Sequence, residues 1–279
     1  MIAEQQKQSI LSLIARLSPN TEVFVRAAME KSGITIFLHD ENPITSGVFC
    51  LVRWEGTNYA YASFMQDMVD DQVIRLIEST IRPYIEDNDP LCFNVYGGNK
   101  SIIELVKKLG FTPDMEGYEF VYQGQVPLEF VPTKLTIKAF EQSALEDFVT
   151  LFEQSYYQLN KDNGWSVDWY ANNKGIFSER LALKSQTDEL VSFWSGDRLV
   201  GTYIISGKYI QDLVVHPEYQ GLGYGKTLLL HALNLLIEQK GHQSVYLRVA
   251  KSNAAAIRFY LRNHFVEIAS FAEHTFHKN

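Results

Sequence analysis

The sequence predicts an α/β chain built from two similar domains, and three observations predict it. Strand-like apolar segments alternate with amphipathic helical ones, in the same order twice along the chain. Residues 93–111 align on residues 247–265 without a gap, which sets Asn99 on Asn253 and Phe111 on Phe265. A stretch over roughly 124–133, holding Pro127 and Pro132 and showing no helical period, separates the halves. At 279 residues and 46% hydrophobic composition, the chain has ample apolar surface for packed cores.

Taken in order, the N-terminal residues have apolar side chains at helical spacing without a basic region leading into an apolar signal core. They read as an amphipathic helix of a cytoplasmic protein. In the first domain, 1–127, segments 46–54 and 58–65 read as strands, 69–86 as a helix, 91–96 as a strand, 99–109 as a short helix and 117–123 as a strand. In the second, 134–279, strands are expected over 189–195, 199–206 and 209–215. A helix over 223–240, stopped by Gly241, comes next, then strand 244–249, helix 253–262 and strand 265–271.

The junction after the 209–215 strand carries the most chemistry. Leu213, Val214 and Val215 run through His216 and Pro217 into Gln220, Gly221, Leu222, Gly223, Tyr224, Gly225, Lys226 and Thr227, an apolar strand entering a glycine-rich turn that opens a helix. Such a turn lets backbone N–H groups approach an anion at the positive end of the helix dipole. A Walker A loop would need glycine where Gln220 stands, and a dinucleotide fingerprint would need a different glycine spacing after the first strand of its unit. An ordinary strand-to-helix turn is the bland alternative.

What fits is Gln/Arg-x-x-Gly-x-Gly/Ala, met by Gln220, Gly223 and Gly225 and preceded by Leu213, Val215 and Pro217. A second pattern, Asn-x-x-Ala-x-x-Phe/Leu-Tyr, follows as Asn253, Ala256, Phe259 and Tyr260. Together these resemble the GCN5-related N-acetyltransferases (GNAT). The resemblance implies two GNAT-like domains, each a mixed, mostly antiparallel sheet flanked by helices. It also implies acetyl-CoA as donor, held by residues 213–215 and 220–226 with Asn253, Ala256 and Tyr260, and a primary amine of a small molecule or peptide as acceptor.

The first copy is degenerate. Residues 64–73 contain no glycine and bring Asp67, Asp70 and Asp71 to the place of the loop, while Ile102 replaces Ala256 and Val106 replaces Tyr260. Crowding and like charge would oppose a pyrophosphate there.

For the chemistry, Tyr260 is the candidate general acid, since a phenol stays protonated at neutral pH and can hand its proton to a departing thiolate; the alternative is a tyrosine that packs the sheet. The base is open between Asp212, Tyr209 acting through water, and none at all. The resemblance implies glutamate at the position of Arg248, and arginine cannot accept a proton. Arg248 is instead a candidate for selecting a carboxylate on the acceptor. Tyr156, Tyr157, Trp165 and Trp169 are candidates for lining the acceptor site, or for the core.

The net charge of −8 disfavours nucleic acid as a partner, and no run of about eighteen apolar residues suggests a membrane span. Cys50 and Cys92, without a Cys/His cluster, support neither a disulfide framework nor a metal site, and oligomeric state is open.

Overall fold

A computed structural model of the chain describes residues 3–31, 33–40, 46–67, 69–86, 90–124 and 134–277. The separating segment expected over 124–133 therefore lies, beyond residue 124, outside the described residues. The elements are α1 (Glu4–Ala15), α2 (Pro19–Glu30), β1 (Ile34–Asp40), β2 (Gly47–Trp54), β3 (Thr57–Phe64), α3 (Asp71–Glu86), β4 (Leu91–Tyr96), α4 (Lys100–Lys108) and β5 (Thr112–Tyr122). There follow β6 (Thr136–Lys138), α5 (Leu145–Asn163), α6 (Trp169–Asn172), α7 (Lys174–Gln186), β7 (Leu190–Ser195), β8 (Arg198–Ser206), β9 (Tyr209–Val215), α8 (Tyr224–Asn234), β10 (Tyr246–Ala250), α9 (Ala254–Arg262) and β11 (Phe265–Phe276). The helix expected over 223–240 is α8 continued by a π-helical turn, Leu235–Gln239, and Gly241 follows at φ +71°.

The chain forms two compact units: Met1–Glu119 with Val249–Lys251 and Glu267–Asn279, and Phe120–Arg248 with Ser252–Val266. This differs from a linear cut into 1–127 and 134–279, because residues 267–279 join the first unit. The reason is pairing: β11 runs antiparallel to β4, from Phe271 opposite Tyr96 to Phe276 opposite Leu91. Conversely, the end of β5 joins the second unit, where the Tyr122 N–H donates to the Val245 carbonyl at 2.9 Å.

In the first unit, β1, β2 and β3 are antiparallel neighbours, and β3 pairs parallel with β4. Residues 47–52 of β2 are all buried, as a strand covered on both faces requires. Val48, Cys50 and Val52 meet Ile10, Ile14 and Val25 of α1 and α2, whereas Phe49 and Leu51 meet Ile77, Ile81, Ile102 and Val106 of α3 and α4. Burial pushes the Cys50 thiol up to about 12.

In the second unit, β6, β7, β8 and β9 are antiparallel, and β9 pairs parallel with β10. One face packs on α5 and α7 through Phe148, Phe152, Phe177 and Leu181. The other packs on α8, where Tyr203 Oη lies 2.7 Å from His231 Nδ1. Gly201 lets strand and helix approach: a Cβ there would stand 2.5 Å from the Val214 carbonyl oxygen and 2.9 Å from Leu228. Both units thus carry antiparallel strands leading to one parallel pair, as the repeat in the sequence anticipates.

The parallel pairs differ in one respect that sets up the site. In the first unit five consecutive pairs hold β3 on β4, from Asn58 and Leu91 to Ala62 and Val95. In the second, among the described residues, pairing is confined to Tyr209 with Tyr246 and Ile210 with Leu247, after which β9 and β10 part.

Candidate active site

The parting of β9 from β10 leaves the end of β9 as one wall of a cleft of about 470 Å³. Leu213, Val214 and Val215 form that wall. Its end is pinned: Gln220 Nε2 donates to the Val215 carbonyl at 2.9 Å, and Ser155 Oγ of α5 donates to the same oxygen at 3.1 Å. The chain then turns through Gly221 at φ +76° and Gly223 at φ +88°, conformations a side chain with a Cβ rarely adopts, and α8 starts at Tyr224. The first N–H groups of a helix lack intrahelical partners, so this turn offers donors and a positive dipole end at the cleft. Gly221, Gly223, Gly225 and Lys226 line it there.

The opposite wall is α9. Asn253 caps this helix, its Oδ1 accepting from the Ala256 N–H at 3.1 Å. Asn253 and Ala256 line the cleft, and Phe259 and Tyr260 follow one turn on. The Tyr260 phenol is buried, and burial, with the Asp212 carboxylate next in weight, pushes its pKa well above the ordinary value.

Asp212 does not itself line the cleft. Its Oδ1 accepts from the Tyr156 hydroxyl at 3.0 Å, and its Oδ2 pairs with Arg180 of α7 at 2.6 Å. Tyr156 does line the cleft, so α5, β9 and α7 build one polar cluster beside Tyr260.

Other expected site residues lie elsewhere. Leu222 is 66% exposed and turned away, and Tyr224 packs its ring edge-on to Tyr219. Tyr209 stacks on Tyr246 at 5.4 Å between centroids. Trp165 and Trp169 line a separate hollow of about 170 Å³ with Tyr170, while Tyr157 and Arg248 are exposed. Sequence reasoning missed Ser155, Ala255, Arg262 and Arg180. Arg262 was within reach, two residues beyond Tyr260 on the same short helix. Arg180 sends no local signal, since it comes from a helix 32 residues away from Asp212.

Residues 139–265 match the Acetyltransferase (GNAT) family. Over 115 residues the chain is 30% identical to the [Ribosomal protein bS18]-alanine N-acetyltransferase of Escherichia coli K12, a match covering 41% of this chain and 69% of that protein. The chain belongs to the GNAT family. Among solved structures, it is similar to a GCN5-related N-acetyltransferase from Sphaerobacter thermophilus, at TM-score 0.49 and 16% identity over 98% of this chain and 93% of that one. A second is the PaiA N-acetyltransferase of Thermoplasma acidophilum in complex with coenzyme A, at TM-score 0.42 and 22% identity over 50% of this chain and 98% of that one.

As a GNAT acetyltransferase, the chain takes its acetyl group from acetyl-CoA. The residues present fit that donor in the second unit. The turn at Gly221 and Gly223 leaves open space where a Cβ would stand, and Lys226 and Arg262 line the cleft with positive charge, as a phosphate-bearing donor requires. In the first unit the matching positions are filled, with Ile102 and Val106 wholly buried beneath a parallel pair that does not part.

Proposed function

We propose that this protein is a tandem-domain N-acetyltransferase, working in the cytoplasm, that acetylates a primary amine of a small molecule or peptide and uses only its second unit for chemistry. The observation that carries this reading is the buried Tyr260 phenol on a cleft that begins at a glycine turn and ends beside the Tyr156, Asp212 and Arg180 cluster.

Bound acetyl-CoA supplies an acetyl thioester. The backbone of 220–226 holds its pyrophosphate, with Asn253, Ala256 and Lys226 alongside, and an N–H on the open edge of β9, that of Leu213 or Val215, holds the thioester oxygen, worth about 3 kcal/mol as charge develops, while the Val214 N–H faces β8. As the N–C bond forms and the C–S bond breaks, Tyr260 donates its proton to the departing sulfur and recovers the proton that the acetylated nitrogen sheds. Its raised pKa keeps the donor form populated throughout the physiological range.

The acceptor arrives as the neutral amine. Of the two candidate bases, Tyr209 lies against Tyr246 and Asp212 has both oxygens engaged. The Trp165 and Trp169 hollow, which Asn160, Ser166 and Tyr170 also line, offers an amphipathic resting place for the acceptor's substituent, with Tyr157 on the preceding helix, and Arg248 of β10 is the candidate for selecting an acidic one.

Free-thiol release from acetyl-CoA across a panel of primary amines tests the reading. Amine-dependent release supports it. Tight acetyl-CoA binding without any amine-dependent release would favour the second reading, a non-catalytic acyl-CoA sensor or interaction scaffold.

A further inference from the structure

Three elements converge on one carboxylate beside the cleft. Asp212 of β9 has a side chain only 13% exposed, and each of its oxygens has a partner: the Tyr156 hydroxyl of α5 at 3.0 Å and the Arg180 guanidinium of α7 at 2.6 Å. The groups that bear on Tyr156 come from three elements: Asp212 on β9, Tyr170 on α6 and Tyr260 on α9. Burial comes first among the causes that hold the Tyr156 phenol protonated, and the Asp212 charge second.

A phenol has one hydrogen and two lone pairs. With its hydrogen committed to Asp212, Tyr156 presents lone pairs to any other partner, and it lines the cleft that Tyr260 also lines. We infer that Tyr156 receives the acceptor amine through an N–H···Oη hydrogen bond, and that Asp212 and Arg180 are positioning residues acting through it. The inference rests on the acetyl-transfer reading above.

The protonation state of the amine decides which partner it needs. The reacting nitrogen must aim its own lone pair at the thioester carbon, so it has to be held by an N–H and needs an acceptor. A bare carboxylate at that point would favour the ammonium ion, which has no lone pair to attack with. Tyr156 interposes a neutral acceptor and keeps the carboxylate one bond removed, while Arg180 occupies the other carboxylate oxygen. As the nitrogen gains positive charge during attack, a hydroxyl polarised by Asp212 binds it more strongly than it bound the ground state, and that differential is what accelerates the step.

The test uses the full chain with benzylamine and an alanyl peptide as acceptors. Tyr156→Phe and Asp212→Asn should each lower kcat/KM for the amine by about 10- to 100-fold, and the double variant should be no worse than about the poorer single one, because the two act as a unit. Arg180→Lys should restore most of the activity that Arg180→Met loses. Acetyl-CoA affinity by calorimetry should stay within about twofold of wild type throughout, which also reports an intact fold.

Tyr156→Phe with wild-type kcat/KM, or effects of the two single changes that multiply in the double variant, would overturn the inference. Tyr156→Phe decides alone if Asp212→Asn does not fold. A wild-type chain that binds acetyl-CoA but acetylates no amine of the primary-amine panel overturns the transfer reading itself, and this inference with it.

Discussion

Asn99 and Asn253 hold the same place in the repeat and use their amides differently. The fully buried Asn99 clasps the end of β3: Oδ1 accepts from the Phe64 N–H at 2.9 Å, while Nδ2 donates to the Phe64 carbonyl at 3.0 Å and the Gln66 carbonyl at 2.7 Å. Asn253 instead caps α9 at Ala256 and faces open space. In the first unit the side chain ties the strand end shut, and in the second it leaves the approach clear.

One CoA per chain is the expected stoichiometry. Binding in the first unit would require β3 to leave β4, Asn99 to release three hydrogen bonds, and a pyrophosphate to approach Asp67, Asp70 and Asp71. Native mass spectrometry that finds two equally tight CoA molecules per polypeptide would refute this.

Gly223→Val should weaken CoA binding at least about tenfold while leaving the fold intact. Gly223 sits at φ +88°, which a β-branched residue adopts only with strain, and the new side chain would stand where phosphate meets backbone. Calorimetry checks it, and an unchanged affinity with native circular dichroism would remove the cradle from this turn.

Tyr260→Phe should lower kcat by roughly 10- to 1000-fold with little change in the acetyl-CoA KM, since the ring still packs against Phe259 and Phe265 and only the transferable proton is gone. Single-turnover rates, where chemistry limits, are the measurement. A wild-type rate would return Tyr260 to the core.

Alkaline stability should reveal the buried phenols. Tyr61, Tyr203 and Tyr260 are held protonated well above the ordinary value of 10, chiefly by burial. Above that value the unfolded chain has lost protons that the native chain keeps, so stability falls as pH rises, by about 1.4 kcal/mol per pH unit for each such tyrosine. Below it their contribution is constant. Urea midpoints should begin to fall near pH 9, where the buried Cys50 thiol starts to contribute, and drop more steeply beyond 10, with a shallower drop in Tyr203→Phe; equal slopes above 10 in the two proteins would contradict the assignment.

Gly201→Ala should destabilise the second unit by about 1 to 3 kcal/mol, through overpacking where β8 meets α8. Denaturant unfolding measures it, and a shift under about 0.5 kcal/mol would mean that Leu228 and the strand give way without cost.

Most of the strands and helices from 46 onward were legible because their apolar periods are strong and their ends are marked, as by Asn253 and Gly241. The glycine turn and the α9 pattern were legible because special backbone conformations demand particular residues at fixed spacing. Other features were not. β1 is only half-buried along most of its length, so its sequence carries a weak alternation. The extension of β11 to Phe276 and its pairing with β4 depend on a partner far off in the chain. Asp212 could be flagged as a charged residue in the middle of an otherwise uncharged strand, but its engagement by Tyr156 and Arg180 is a tertiary fact that no local window contains.

The pairing of β11 with β4 bears on how the protein is made and how it can be cut. On the ribosome, β4 emerges long before residues 267–276 exist, so the first unit cannot close its sheet ahead of the second, and the usual order of N-terminal folding is denied to it. Until synthesis reaches β11, the outer side of β4 is an unsatisfied edge open to wrong partners. A fragment started at residue 134 would carry β11 without the strand it pairs with, while one stopped before residue 267 would leave β4 bare. Dissection of the two units therefore calls for a circularly permuted chain or co-expressed pieces, not for a simple truncation.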